Sequence, residues 1–296
     1  MCGIVGLFLK DPALEPQLGA LIAPMLASMS DRGPDSAGFA IYGAARESET
    51  KLTVQSKTPD ESFGALQRGI VEAGLEARIE RRETHAVVYA PAAAQAALAA
   101  LIAAAPELRV MASGEAIEIY KEVGSPRDVA QRFDLAGMAG THAIGHTRMA
   151  TESAVTILGA HPFSTGPDQC LVHNGSLSNH NDLRRALRRE GLRFETENDT
   201  EVAAAYLTQR MAQGRGLADA LQDGLADLDG FYTFVVGARR GFAVLRDRIA
   251  CKPAILAETD RYVAFGSEYR ALVDLPGIEA ARVWEPEPAT VYAWEH

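Results

Sequence analysis

Residue 2 of this 296-residue chain is a cysteine, and its place beside the initiator methionine makes it a candidate nucleophile. Removal of Met1, which a small second residue favours, would leave a thiol and a free α-amine on one residue. A thiol attacks well only as thiolate, and its ordinary pKa is about 8.5. An α-amine of pKa about 7.7–8.0 can take that proton near neutrality. Cys2 would then serve as nucleophile and base together. The competing reading is a small buried hydrophobe, a common state of free cysteine. Cys170 and Cys251 complete an odd set without CxxC spacing, which argues against a disulfide framework or a zinc site and suits a reducing cytoplasm. Among seven histidines, His142 and His146 would share one face of a strand, because residues i and i+4 do. No carboxylate or cysteine stands at ligand-like spacing from them, so packed, hydrogen-bonded imidazoles are expected rather than a metal centre.

The elements that must hold these residues follow from periodicity. Gly3–Leu9 reads as a buried strand, Gln17–Met29 as a helix stopped by the turn signal Asp31-Arg32-Gly33-Pro34, and Ala37–Tyr42 as a second strand. Strands are expected at Ala116–Lys121, Ala143–Arg148 and Gln169–His173. Helices are expected at Asn179–Glu190, with Ser178 as N-cap, at Thr200–Ala212, with Asp199 at its start, and at Leu217–Leu228. Short strands then recur at Tyr232–Val236, Phe242–Arg246, Tyr262–Gly266 and Thr290–Ala293. Runs of strands beside runs of helices indicate an α+β chain of packed antiparallel sheets with helix layers. Residues 44–112 have the β-α-β-β-α-β order of a ferredoxin-like unit, expected as an inserted subdomain within a domain spanning 2–296, with decoration of the main sheets as the alternative.

Composition removes whole classes of function. A net charge of −10 would repel a phosphate backbone, so nucleic acid is not an expected partner. The chain has five lysines, none after a glycine, and it lacks both a GK[ST] loop and a G-x-G-x-x-G turn, which argues against an autonomous kinase or dehydrogenase. The apolar start MCGIVGLFLK and the run Ala92–Ala105 are both too short to span a membrane.

The motif series resembles the class II, N-terminal-nucleophile glutamine amidotransferases. It runs Cys2-Gly3-Ile4-Val5-Gly6, Arg32-Gly33-Pro34-Asp35-Ser36-Ala37-Gly38, Gly145-His146-Thr147-Arg148-Met149-Ala150-Thr151, His161-Pro162-Phe163, His173-Asn174-Gly175-Ser176-Leu177-Ser178-Asn179, Asp199-Thr200-Glu201 and Leu228-Asp229-Gly230-Phe231-Tyr232. Seven strings in register from residue 2 to about 270 carry the likeness. It implies a four-layer αββα sandwich and hydrolysis of L-glutamine through a Cys2 thioester. It further implies an oxyanion hole from the Asn174 side chain and the Gly175 N–H. Arg148 would hold the substrate carboxylate through a bidentate guanidinium fork, Asp199 its ammonium, and Thr151 and His161 would line the pocket. Arg32 and Asp35 would brace the nucleophile. Read without the motif, Asn-Gly is also a hairpin signal, Arg148 a solvated charge at a strand end, and Asp199 a helix cap.

Two departures stand out. Met149 replaces an aromatic residue that many relatives carry, and the family's R-D-P-L-G-I-R-P-L stretch appears as Arg246-Asp247-Arg248-Ile249-Ala250-Cys251-Lys252-Pro253-Ala254. With the sequence ending soon after Gly266-Ser267-Glu268, a synthase domain that would consume the ammonia is not expected within it. The resemblance therefore implies a separate subunit of a hetero-oligomer, most like those of glutamate-synthase-like and N-methylglutamate-synthase-like complexes. Cofactors would then be absent from this chain, with any FMN or iron–sulfur cluster in the partner. Two other readings stay open: an amidase of the same type acting on another amide, and a silent glutamine-sensing scaffold.

Overall fold

The computed structural model describes residues 2–45, 48–149 and 155–296. In chain order the elements are β1 (Gly3–Leu9), α1 (Leu18–Ala27), β2 (Ser36–Tyr42), β3 (Glu49–Ser56), α2 (Pro59–Glu72), β4 (Arg78–Arg82), β5 (His85–Pro91), α3 (Gln95–Ala103), β6 (Leu108–Gly114), β7 (Ile117–Val123) and α4 (Pro126–Arg132). They continue as β8 (His142–Arg148), β9 (Cys170–Leu177), α5 (His180–Arg189), α6 (Asp199–Ala212), α7 (Leu217–Asp227), β10 (Gly230–Ala238), β11 (Gly241–Arg246), β12 (Ile255–Glu258), β13 (Tyr262–Gly266), β14 (Arg282–Trp284) and β15 (Val291–Glu295).

β1 explains the layering. All seven of its residues are buried, and successive side chains leave a strand on opposite faces. Ile4 and Phe8 join Val172, Val235 and Val244 in the core between two sheets. Val5, Leu7 and Leu9 join Leu18, Ile22 and Leu26 of α1 on the outer face. The two sheets run β14-β12-β13-β1-β8-β2-β7 and β15-β11-β10-β9. On the far side of the second sheet, Val202 and Leu207 of α6 and Leu221 of α7 pack on Phe234, Val236 and Leu245. The result is the α-β-β-α stack. At Gly6 an added Cβ would stand 2.6 Å from the Phe242 ring, so a glycine there lets the sheets approach.

A third sheet, ordered β4-β5-β3-β6 and antiparallel throughout, carries α2 and α3 on one face. That is the ferredoxin-like strand order. Its other face meets β7, where the Ile119 N–H donates to Thr53 Oγ1 at 3.4 Å and Lys51 pairs with the largely buried Glu118 at 3.2 Å.

One alternative reading is excluded and three local expectations change. β9 runs through Asn174-Gly175 to Leu177 and pairs with β10 in unbroken register, so the Asn-Gly pair makes no hairpin. Ser178 does not cap α5: its hydroxyl donates to Asp229 at 2.6 Å, and Asn179 holds the N-cap position without a side-chain capping bond, its amide being engaged by Asp227 and Asp229 instead. At α6 the cap is Asn198, whose side-chain oxygen accepts the Thr200 N–H at 2.8 Å, while Asp199 is the first helical residue. The helix expected over Ala92–Ala105 is a 3-10 turn at Ala92–Ala94 followed by α3.

Candidate active site

Cys2 immediately precedes β1, a strand inside the seven-stranded sheet, and is half-buried. Its carbonyl accepts two side-chain donors, Arg32 Nε at 3.0 Å and Asn174 Nδ2 at 3.1 Å. The guanidinium of Arg32 is buried and also pairs with Glu268 at 2.5 Å. The loop that carries Arg32 is pressed on β8: Thr147 Oγ1 donates to the Gly33 carbonyl, and a Cβ at Gly33 would stand 2.6 Å from backbone of Arg148. Asp35 continues the weld. Its N–H donates to the Arg148 carbonyl at 3.1 Å, and its carbonyl accepts the Gly124 N–H at 2.9 Å.

A cleft of about 800 Å³ opens at Cys2, and Arg148, His161, Asn174, Gly175 and Asp199 all line it. Five separate elements and loops are thus brought to one cavity. Gly175 has φ 148°, in the region that favours glycine, and a Cβ there would meet the Phe231 carbonyl at 2.0 Å. Asp199 Oδ2 accepts the Leu177 N–H at 2.9 Å, which ties the start of α6 to the end of β9. Its Oδ1 lies 3.6 Å from His173 Nδ1. Burial opposes the charge on Asp199, but the neighbouring His173 ring, the Leu177 N–H and the nearby His180 prevail and hold the carboxyl below its usual range.

Behind the cleft the histidines form a stack. The rings of His146 and His161 lie 4.0 Å apart at 27°. Thr200 Oγ1 joins His161 Nε2 at 2.7 Å to His173 Nδ1 at 3.1 Å, and His146 Nε2 reaches the His173 carbonyl at 3.2 Å. Burial pushes His146 down to about 3 and His161 well below its ordinary value, so both are neutral. His142 faces the second sheet as His146 does, donating from Nε2 to the Ala238 carbonyl at 3.0 Å. Cys170 is buried, with its thiol pushed up to about 12 by desolvation, whereas Cys251 is exposed.

Of the residues singled out from the sequence, Thr151 lies outside the described residues. Met149 lines the cleft and is partly exposed. Among the cleft residues that the sequence reading does not assign to the site are Thr200 and Lys252. Thr200 was seen only as a helix-start residue, although it sits beside Asp199 in the Asp-Thr-Glu string. Lys252 was seen only as a departure from a family stretch, yet it lines the cleft with its Nζ 5.0 Å from the Phe231 ring centre.

The glutamine amidotransferase domain family matches residues 134–286. A Rhizobium meliloti protein described as glutamine amidotransferase-like protein GlxB is 67% identical over 297 aligned residues, which cover all of this chain and 99% of that protein. This chain belongs to the class II glutamine amidotransferase family. A Methanothermobacter thermautotrophicus protein, named as a candidate glutamine amidotransferase, is 33% identical across the full length of both. Among solved structures, the allosteric regulatory enzyme of purine biosynthesis superposes with a TM-score of 0.65 at 19% identity, covering 99% of this amidotransferase and 47% of that longer chain. That likeness places the fold. The chemistry of a glutamine amidotransferase is release of ammonia from glutamine for transfer to an acceptor, and no helix among the described residues is long and apolar enough to cross a membrane.

Proposed function

We propose that this amidotransferase is a glutaminase subunit whose nucleophile is Cys2 after loss of Met1. The observation that carries the reading is the Cys2 carbonyl held between Arg32 and Asn174 at the edge of a cleft that also contains Arg148 and Asp199. Cys2 Sγ gives its proton to the α-amine and attacks the glutamine side-chain carbonyl. The tetrahedral oxyanion takes hydrogen bonds from Asn174 and Gly175, each worth about 2.7–4 kcal/mol in such sites. An amide nitrogen has two N–H groups, so Asn174 can keep its bond to Cys2 and still aim the other at the oxyanion. The protonated α-amine returns its proton to the leaving nitrogen, ammonia departs, and water hydrolyses the γ-glutamyl thioester. Arg148 pairs with the substrate carboxylate and Asp199 with its ammonium. That pair fits a free α-amino acid better than any other amide. His161 acts through Thr200 beside Asp199, and the family resemblance gives Thr151 a substrate-binding role.

The ammonia passes to a separate synthase subunit of a glutamate-synthase-like or N-methylglutamate-synthase-like complex in the cytoplasm, whose FMN or iron–sulfur cluster belongs to that partner. What supports a separate subunit, though not the kind of synthase, is that two relatives are matched over 99% and 100% of their own lengths.

Incubation with the glutamine-mimicking electrophile 6-diazo-5-oxo-norleucine, followed by intact mass, tests the chemistry. One adduct is expected on a chain without Met1, absent in Cys2→Ala. Exposed Cys251 is the internal control, and labelling there instead of at Cys2 would overturn the reading. The partner assignment is tested by purifying the endogenous complex: a fully active chain with no companion refutes it.

A further inference from the structure

Lys121, in β7, is 5% exposed and pairs with no carboxylate in an ion pair among the described residues. Its Nζ instead donates to three main-chain carbonyls, Ala160 at 3.0 Å, Leu158 at 3.4 Å and Pro162 at 3.4 Å, and lies 4.6 Å from the Phe163 ring centre. Three N–H donors meet three acceptors, the full capacity of an ammonium. A buried cation without a paired carboxylate is costly to a fold, so this arrangement needs a return.

The return lies in what the clamped segment carries. Residues 158, 160 and 162 turn their carbonyls to Lys121, while Gly159 and His161 between them line the cleft. Gly159 packs so closely that an added Cβ would be 3.1 Å from Arg148 Nη1. His161 reaches Thr200, the neighbour of Asp199, at 2.7 Å. One irregular strip therefore backs both residues that would hold the substrate head group. Gly38 makes room for it: a Cβ there would be 2.3 Å from the His161 carbonyl and 2.5 Å from Lys121 Cβ. We propose that Lys121 is a positioning residue for glutamine binding, clamping residues 158–162 so that Arg148 and Asp199 present a fixed head-group site. This rests on the glutaminase reading above.

The clamp is also pH-sensitive. Burial lowers Lys121 to about 8, against the opposing pull of Glu201 and Glu195, while its charge disfavours protonation of His85 and His161. Above that pH the neutral amine has lost one donor and the cage loosens.

The test is the rate of 6-diazo-5-oxo-norleucine labelling and the KM for glutamine in full-length Lys121→Met, across pH about 6.5–9.5. The expected result is labelling about 10–100-fold slower, of the size a displaced binding group produces, with KM raised more than kcat is lowered. The wild-type loss of binding near pH 8 should vanish in the variant. Labelling at the wild-type rate with that alkaline loss intact overturns the clamp. Should Lys121→Met fail to fold, hydrogen exchange of wild type decides. Protection of residues 158–163 should drop through about pH 8 relative to β1, and constant protection refutes the proposal. A wild-type chain that never labels refutes the glutaminase reading instead, and the exchange measurement still judges the clamp.

Discussion

The side-chain amide of Asn174 donates to the main-chain carbonyl of Cys2 at 3.1 Å, although 172 positions separate them in sequence. The bond couples the edge of the second sheet to the head of the first strand of the other. Any motion that separates the sheets would therefore disturb the proposed nucleophile and the proposed oxyanion donor together.

Asn174→Ala should lower kcat by about 10²–10³ with little change in KM, because the lost donor acts on charge that exists only in the transition state. Steady-state ammonia release measures it. A change confined to KM would show that Asn174 holds substrate rather than the oxyanion.

Arg32→Lys should lower kcat more than about tenfold while KM stays within about threefold. One ammonium cannot match the forked geometry that reaches both the Cys2 carbonyl and Glu268. Wild-type turnover in this variant would remove Arg32 from the account.

Gly175→Ala forces a side chain into a backbone conformation that costs about 1–3 kcal/mol, with the Phe231 carbonyl in the way. A Tm lower by about 4–8 °C is expected for a 2 kcal/mol loss, together with loss of glutaminase activity. Differential scanning calorimetry reads the first and ammonia assay the second.

Asp199→Asn should raise KM for glutamine by about 10–100-fold, the scale of a buried charge-assisted contact, and leave kcat within severalfold. Since the carboxyl is held below its usual range, this charge is present throughout the neutral region and is lost only as pH falls through the depressed value. Stability from the ionised group is likewise full above the unfolded value of about 3.9 and disappears below the folded one.

Acid should destabilise the fold well before the carboxylates titrate. His85, His142 and His146 are buried and lowered to about 3, so the unfolded chain binds protons below about pH 6.5 that the folded chain refuses. Stability is then complete above pH 6.5 and falls as pH drops, by up to about 1.4 kcal/mol per pH unit for each residue. Tm measured from pH about 7.5 to 5 should show this slope, and His85→Phe, which keeps an aromatic ring against Tyr120 and Phe133, should reduce it by one residue's share while His142 and His146 keep the rest. A flat Tm across that range refutes the buried neutral state.

Much of the scaffold was legible because its strands are buried on both faces. β1 and β13 match their sequence-read limits to the residue, since unbroken apolar runs bounded by Lys10-Asp11 and Ser267-Glu268 leave little choice of ends. Cap assignments failed where neighbouring residues compete. Asn198 and Asp199 are both good caps, and the Leu177 N–H decides between them by claiming Asp199 from a different element. The hairpin alternative for Asn-Gly is not taken up, because eight registered pairs with β10 outweigh a local turn preference.

By itself, then, the sequence determined the helix and strand runs, the nucleophile candidate and the residue types around it, since those follow from periodicity and from ordered motifs, while the layer order was implied by the family resemblance. Tertiary structure alone decided that Asn174 and Arg32 share the Cys2 carbonyl, that Thr200 bridges two imidazoles, and that Lys121 is caged by carbonyls. Such contacts join residues tens to hundreds of positions apart, and hydrogen bonds depend on distance and angle in space, which residue spacing does not encode.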